Sequence, residues 1–132
     1  MRTAILKIDP GCQLVTLQSE FHMAFPHLRL EFYHHPHGVY EGSPRKDIAD
    51  PGLRVSDVGS REVSGTLTAS PETRVRDFEK QLLEEFGLSA QVFRHSGGKW
   101  VQTTSSDDWT LGQQHLRGES SAVMYRHLTG KR

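Results

Sequence analysis

TRVRDFEKQLLEEFGLSAQVFRHSGGKWVQTT, residues 73–104, reads as a helix, a stop, a strand, a tight turn and a second strand. Val75, Phe78, Leu82 and Phe86 fall at i, i+3, i+7 and i+11, one stripe of a 3.6-residue helix. Arg76, Glu79, Lys80, Glu84 and Glu85 fill the opposite, wet face. Ser70-Pro71-Glu72 offers a capping hydroxyl, a first-turn proline and an acid at the positive end of the dipole, and Thr73 offers a second cap three residues on. Gly87 directly after the last apolar position is a left-handed stop. Leu88 to His95 then alternates as a strand does, Gly97-Gly98 supplies a hairpin turn, and Trp100 to Thr104 is rich in strand formers.

The N-terminal part carries the same plan. Arg2 to Ile8 reads as a strand and Asp9-Pro10-Gly11 breaks it. Leu14, Leu17, Phe21 and Phe25 repeat the spacing 0, 3, 7, 11, so a helix is expected from about Cys12 to Phe25, ended by Pro26. Leu28, Leu30 and Phe32 alternate with Arg29, Glu31 and Tyr33 as the next strand. An offset of 61 residues lays Leu6 on Leu67, Pro10 on Pro71, Leu14 on Val75 and Phe25 on Phe86, with Glu62 to Ala69 replacing the first strand. The following strands fit better after a one-residue slip. Four identities fall in about 32 aligned positions, where about two arise by chance at ordinary residue frequencies. The pattern is a candidate internal repeat.

Two strand–helix–strand units, residues 1–34 and 62–104, predict an α+β fold within one domain spanning 1–132. The simplest arrangement is a ferredoxin-like βαββαβ sandwich: an antiparallel sheet with both helices on one face, right-handed crossovers and the Trp100 segment as an added hairpin strand. A different strand order is the alternative. Residues 35–61 form a long connection full of turn signals, with a short strand near Leu53 and Val55. In residues 105–132, Thr110 and Gln113 have capping-box spacing and predict a short helix over Leu111 to Leu116; Ala122 to Leu128 reads as a last strand before a frayed end.

Lys plus Arg equals Asp plus Glu at 16 each, so no global field favours nucleic acid or an anionic membrane. The single cysteine, Cys12, fits a reducing compartment; no leader-like or membrane-spanning run stands in the sequence, and a cytoplasmic location is expected.

Three groups of residues are candidates for chemistry. His34, His35 and His37 follow the strand ending at Tyr33, where imidazoles can converge on a divalent metal, with Glu41 as a further ligand; a solvated loop with incidental histidines is the plainer reading. Arg94, His95, Lys99, Trp100 and Trp109 gather both tryptophans with three cationic or titratable groups around the Gly-Gly turn, the composition of an interface hot spot or anion site; the plainer reading puts Trp100 in the core and Trp109 as a staple before Thr110. Cys12 near a helix start is a possible nucleophile, but no partner base can be named for it.

Tyr33 and Phe93 with their basic neighbours resemble a base-stacking platform, which the zero net charge and the lack of an RNP-like run disfavour. The sequence therefore points to a non-enzymatic binding module that associates with itself as a homodimer, or with another protein, through a sheet face carrying Tyr33, Phe93 and Trp100. The alternative is a metal- or anion-binding sensor or enzyme built on His34, His35 and His37 or on the region from Arg94 to Trp109. No cofactor is expected beyond that divalent metal.

Overall fold

The computed structural model describes residues 1–36 and 45–130. Strands form where the sequence alternates. β1 (Ala4–Ile8) buries Ala4, Leu6 and Ile8 and exposes Ile5 and Lys7. α1 (Leu14–Ala24) turns Leu14, Leu17, Phe21 and Ala24 inward, and the Phe25 N–H still bonds to the Phe21 carbonyl before Pro26 ends the turn. β2 (Leu28–Tyr33) follows. The expected strand at Leu53 and Val55 is instead a single helical turn, α2 (Val55–Val58), started by Asp57 accepting the Arg54 N–H at 2.7 Å.

The second unit repeats the order: β3 (Gly65–Ala69), α3 (Val75–Phe86) and β4 (Ser89–Ser96). No side chain caps α3; the Ser70 and Thr73 hydroxyls bond each other at 3.1 Å in the preceding turn, and Arg74 occupies the N-cap position. Gly87 ends α3 at φ 67°, as the sequence requires. Gly97 and Gly98, both at positive φ, turn β4 into β5 (Lys99–Gln102). The Thr110–Gln113 capping box opens α4, which runs over Leu111–Thr129. The last strand expected at Ala122 to Leu128 is therefore helix: nothing in that run breaks a helix, and Gly130 at φ 71° ends it.

The sheet topology corrects the ferredoxin-like expectation. A strand–helix–strand crossover of that kind puts both strands of a unit parallel in one sheet. Here β1 pairs with β3 in a two-stranded ladder, and β2, β4 and β5 form a second sheet in the order β2-β4-β5, all antiparallel. Each unit thus sends its two strands to different sheets, where they meet the strands of the other unit.

The pairing registers follow the offset of 61 with no slip. In the first ladder Leu6 faces Leu67, Ala4 faces Ala69 and Ile8 faces Gly65; adding 61 to 4 and 8 gives 65 and 69. In the second, Leu28 faces Arg94 and Tyr33 faces Ser89; adding 61 to 28 and 33 gives 89 and 94. The helix starts behave likewise. Leu14 N–H bonds Leu53 O while Val55 N–H bonds Cys12 O, and Val75 N–H bonds Trp109 O while Leu111 N–H bonds Thr73 O. Each pair of pre-helix turns is zipped together, fixing the start of α1 to α2 and of α3 to α4.

One hydrophobic cluster draws on both sheets and all four helices. Phe21 of α1 and Phe78 of α3 stack across it, with ring centroids 5.3 Å apart and 16° between planes. Glu79, placed on the wet face of α3 by its periodicity, is buried instead. Its Oε2 accepts the backbone N–H of Val92 at 2.8 Å. α4 lies across β4 and reaches β2.

Candidate functional site

Arg29 faces Phe93, Phe93 faces Gln102, and His95 faces Trp100 across neighbouring strands. Since strand side chains alternate, Arg29, Glu31, Tyr33, Phe93, His95, Trp100 and Gln102 share the sheet face turned away from Leu28, Leu30, Ala90 and Val92. A groove of about 660 Å³ lies on this face, and Arg45 and Ile48 from the long connection close its side, with Lys99 and Val101 at the β5 rim. A second hollow of about 370 Å³ continues past Arg29, Glu31 and Trp100 to Gln18 and His22 of α1.

The face is only partly open. Tyr33 is 1 % exposed, so the expected row of three exposed aromatics shrinks to Phe93 and Trp100, both half-buried. The Tyr33 hydroxyl takes a long hydrogen bond from Gln102 at 3.5 Å, and burial, reinforced by Glu31, pushes its pKa up to about 12. Trp100 is crowded: the His95 ring lies 3.9 Å from it by centroid, and the Arg29 guanidinium sits 5.8 Å from its ring centroid. Arg29 also pairs with Glu31 at 3.1 Å. Among the described residues Arg45 and Lys99 have no ion pair, and both line the groove beside its apolar walls.

The outer edge of β2 is closed to strand addition. His22 Nδ1 reaches Leu28 O at 2.8 Å, Gln18 Nε2 donates to Leu30 O at 2.9 Å, and Ala49 N–H donates to Phe32 O at 2.8 Å.

The turn-region candidates divide between two places. Lys99 and Trp100 line the groove with Tyr33. Arg94 points the other way, into the α4 seam, where it donates to Gln114 Oε1 at 2.7 Å and lies 5.8 Å from the ring of the exposed Trp109. Burial, then the neighbouring Arg117, pulls its pKa down from the usual arginine value. His95 joins a cluster the sequence did not reveal. Its Nδ1 is 3.1 Å from His27 Nδ1, and the His27 backbone N–H points at His115 Nδ1 at 3.4 Å. Burial first, and His27 second, hold His95 and His115 below the ordinary imidazole pKa.

The expected histidine metal site is not assembled among the described residues, where no group of three or more His, Cys, Asp or Glu side chains is placed to hold a metal ion. His37 and Glu41 lie outside the described residues. His35 is engaged by Asp47: its Nδ1 lies 2.6 Å from Asp47 Oδ1 and its backbone N–H donates to Oδ2 at 2.9 Å, and these bonds hold the Asp47 carboxyl below its usual pKa. The His34 backbone N–H donates to Asp47 O, and its side chain is exposed. Cys12 packs half-buried against the hydrophobic cluster.

Arg29, Arg45 and His115 escaped the sequence reading. Arg29 was legible as an outward strand residue, but Arg45 enters from an irregular connection and His115 meets His27 across 88 residues, so no local periodicity could announce either.

No known family, characterised protein or solved structure matches this chain.

Proposed function

We propose that this protein is a non-enzymatic binding module whose groove on the outer face of the β2-β4-β5 sheet takes an extended, acidic segment of a partner protein. The observation that carries the reading is the pairing of Arg45 and Lys99 with the half-buried Phe93 and Trp100 around a groove of about 660 Å³. Groove size and wall chemistry match a short peptide with carboxylates flanking an apolar residue. Arginine and lysine give the anions a charged anchor, and the aromatic walls bury the apolar part.

A peptide is favoured over single-stranded nucleic acid because the ring faces of Trp100 are already occupied by His95 and approached by Arg29, and Tyr33 is covered, so no run of free stacking platforms remains. The offset of 61 that governs both ladders supports reading the two units as an internal duplication, in which the connection of the second unit carries β5, a wall of the groove.

The test is fluorescence titration of Trp100 in a Trp109→Phe background with three probes: an Asp/Glu-rich peptide containing leucine or phenylalanine, its Lys-substituted counterpart, and a single-stranded oligonucleotide. The reading expects binding of the acidic peptide alone, weakening with salt and lost in Arg45→Glu/Lys99→Glu. Oligonucleotide binding with the same dependence would reassign the ligand to nucleic acid. Binding of neither, or binding indifferent to the two substitutions, would overturn the reading.

A further inference from the structure

Beyond its first two turns α4 has an unusual distribution of side chains. Leu111, Gly118 and Tyr125, spaced by seven, face the protein: the first two are buried and the Tyr125 ring covers the Gly97-Gly98 turn. The opposite side carries Leu116, Ser120, Val123 and His127, at spacings of four, three and four. Leu116 is 53 % exposed and Val123 50 %, with Met124 at 58 % and Leu128 at 73 % along the flank. Ser120, Val123 and His127, with Glu119 and Met124, line a shallow hollow on this side. A seam of this period turned to solvent is the contact pattern of a pair of helices.

We propose that this outer face of α4 binds the same face of a second copy of the chain, with the two helices antiparallel. The pattern is self-complementary about a two-fold axis between Ser121 and Ala122. Antiparallel pairing then sets Ser120 against Val123 of the other copy and Leu116 against His127, so the valine enters the hollow above the serine. Glu119 and Arg126 flank the seam at equivalent positions seven residues apart, and neither has an ion pair within the chain among the described residues. In the antiparallel pair each Glu119 meets Arg126 of the other copy, giving two ion pairs of the kind that sets helix orientation. In a parallel pair this flanking position faces the one five residues on, so Glu119 would meet Met124 of the other copy rather than Arg126. The contact is short, below the roughly 800 Å² per partner of a standard interface, so the dimer is weak and salt-sensitive.

Sedimentation velocity on the full chain at several concentrations tests this, alongside Glu119→Arg, Arg126→Glu and the double swap. Both substitutions are at exposed positions, and circular dichroism confirms that each of the three variants is folded. The expected result is a concentration-dependent dimer, weakened about tenfold in each single variant and restored in the double variant. A monomer at every concentration, or a dimer that the single swaps do not move, would overturn the proposal. The groove mutant Arg45→Glu/Lys99→Glu is expected to dimerise normally, which separates this surface from the peptide-binding reading.

Discussion

The carboxylate of Glu79 accepts the backbone N–H of Val92 at 2.8 Å, closing the β4 edge just beyond the point where β5 stops pairing. Glu79 is almost fully buried, and desolvation, then the neighbouring Asp107, push its pKa well above the ordinary carboxyl value. Folding therefore raises its proton affinity, so the folded state holds a proton there that the unfolded state has released. The contribution is fully present below the unfolded pKa near 4.5 and is lost as pH rises through the folded value. Glu79→Gln keeps an acceptor for Val92 and removes the charge. It is expected to raise stability at pH 8 relative to the parent and to flatten the alkaline-going loss, measured by urea unfolding across pH 4–8. Glu79→Ala orphans the Val92 N–H and is expected to cost about 1–3 kcal/mol.

The histidine cluster gives the opposite slope. His95 and His115 have depressed pKa values in the folded state, because burial disfavours their charged forms and His27 stands beside both. For a base with a lowered pKa the unfolded chain binds protons more readily, so stability is complete above the ordinary value near 6.5 and falls as pH drops through the window below it. The groups facing these imidazoles are His22 and His27 from α1 and the turn after it, Trp100 from β5, the chain N-terminus, and Glu119 within α4. His115→Gln should weaken the acid-side loss between pH 6.5 and 5, seen as a smaller drop in melting temperature than the parent shows. In the Glu79→Gln background the histidine slope should stand alone, and the parent profile should lie between the two.

Gly98 holds φ at 81°, and a Cβ built there would stand 2.6 Å from the Tyr125 ring, whereas at Gly97, φ 57°, nothing lies within 4 Å. Both alanine substitutions incur the left-handed penalty of roughly 1 kcal/mol. Only Gly98→Ala must also displace the α4 side chain that covers the turn. The expected ordering is Gly97→Ala mildly destabilising and Gly98→Ala worse by at least another kcal/mol or so, with Tyr125→Ala in the Gly98→Ala background removing the excess. Chemical denaturation of these three variants, with the parent and Tyr125→Ala as references, checks it.

The helices and strands of both units were legible because each buries one face, and the burial writes its period into Leu14, Leu17 and Phe21 or into Val75, Phe78 and Leu82. Strand partnership was not legible. Leu6 and Leu67 carry no mark that they face each other across a separate two-stranded ladder, and the pattern of Leu28, Leu30 and Phe32 suits a sheet of any order. The run from Ala122 to Leu128 misled for a physical reason: its outward apolar residues mimic a strand, while its helix is extended from a well-capped start twelve residues earlier. Glu79 misled because periodicity places a charge outward, whereas the buried Val92 N–H, beyond the reach of β5, needs an acceptor. At the groove, Tyr33, Phe93, Lys99 and Trp100 were already singled out in the sequence, whereas Arg29 from the same strand as Tyr33 and Arg45 and Ile48 from the long connection were not.

Every ladder that involves a strand of residues 1–61 has its partner in residues 62–132: β1 with β3 and β2 with β4. Phe21 stacks on Phe78 across the same division. Separated from the second unit, the first keeps α1 packed on single strands, with the apolar faces that met the second unit exposed and the ladder-facing backbone groups of β1 and β2 unpaired. A fragment of residues 1–61 is therefore expected to be largely unstructured alone, as is 62–132, and the two are expected to regain a cooperative fold when mixed. The measurement is circular dichroism and amide NMR dispersion of each fragment and of the equimolar mixture. A folded 1–61 fragment would mean that the first unit stabilises itself without its ladder partners. Phe21→Ala in that fragment should abolish reassembly, because it removes the stacking contact and leaves a core cavity costing about 3–5 kcal/mol in a complex that must also overcome the entropy of bringing two chains together.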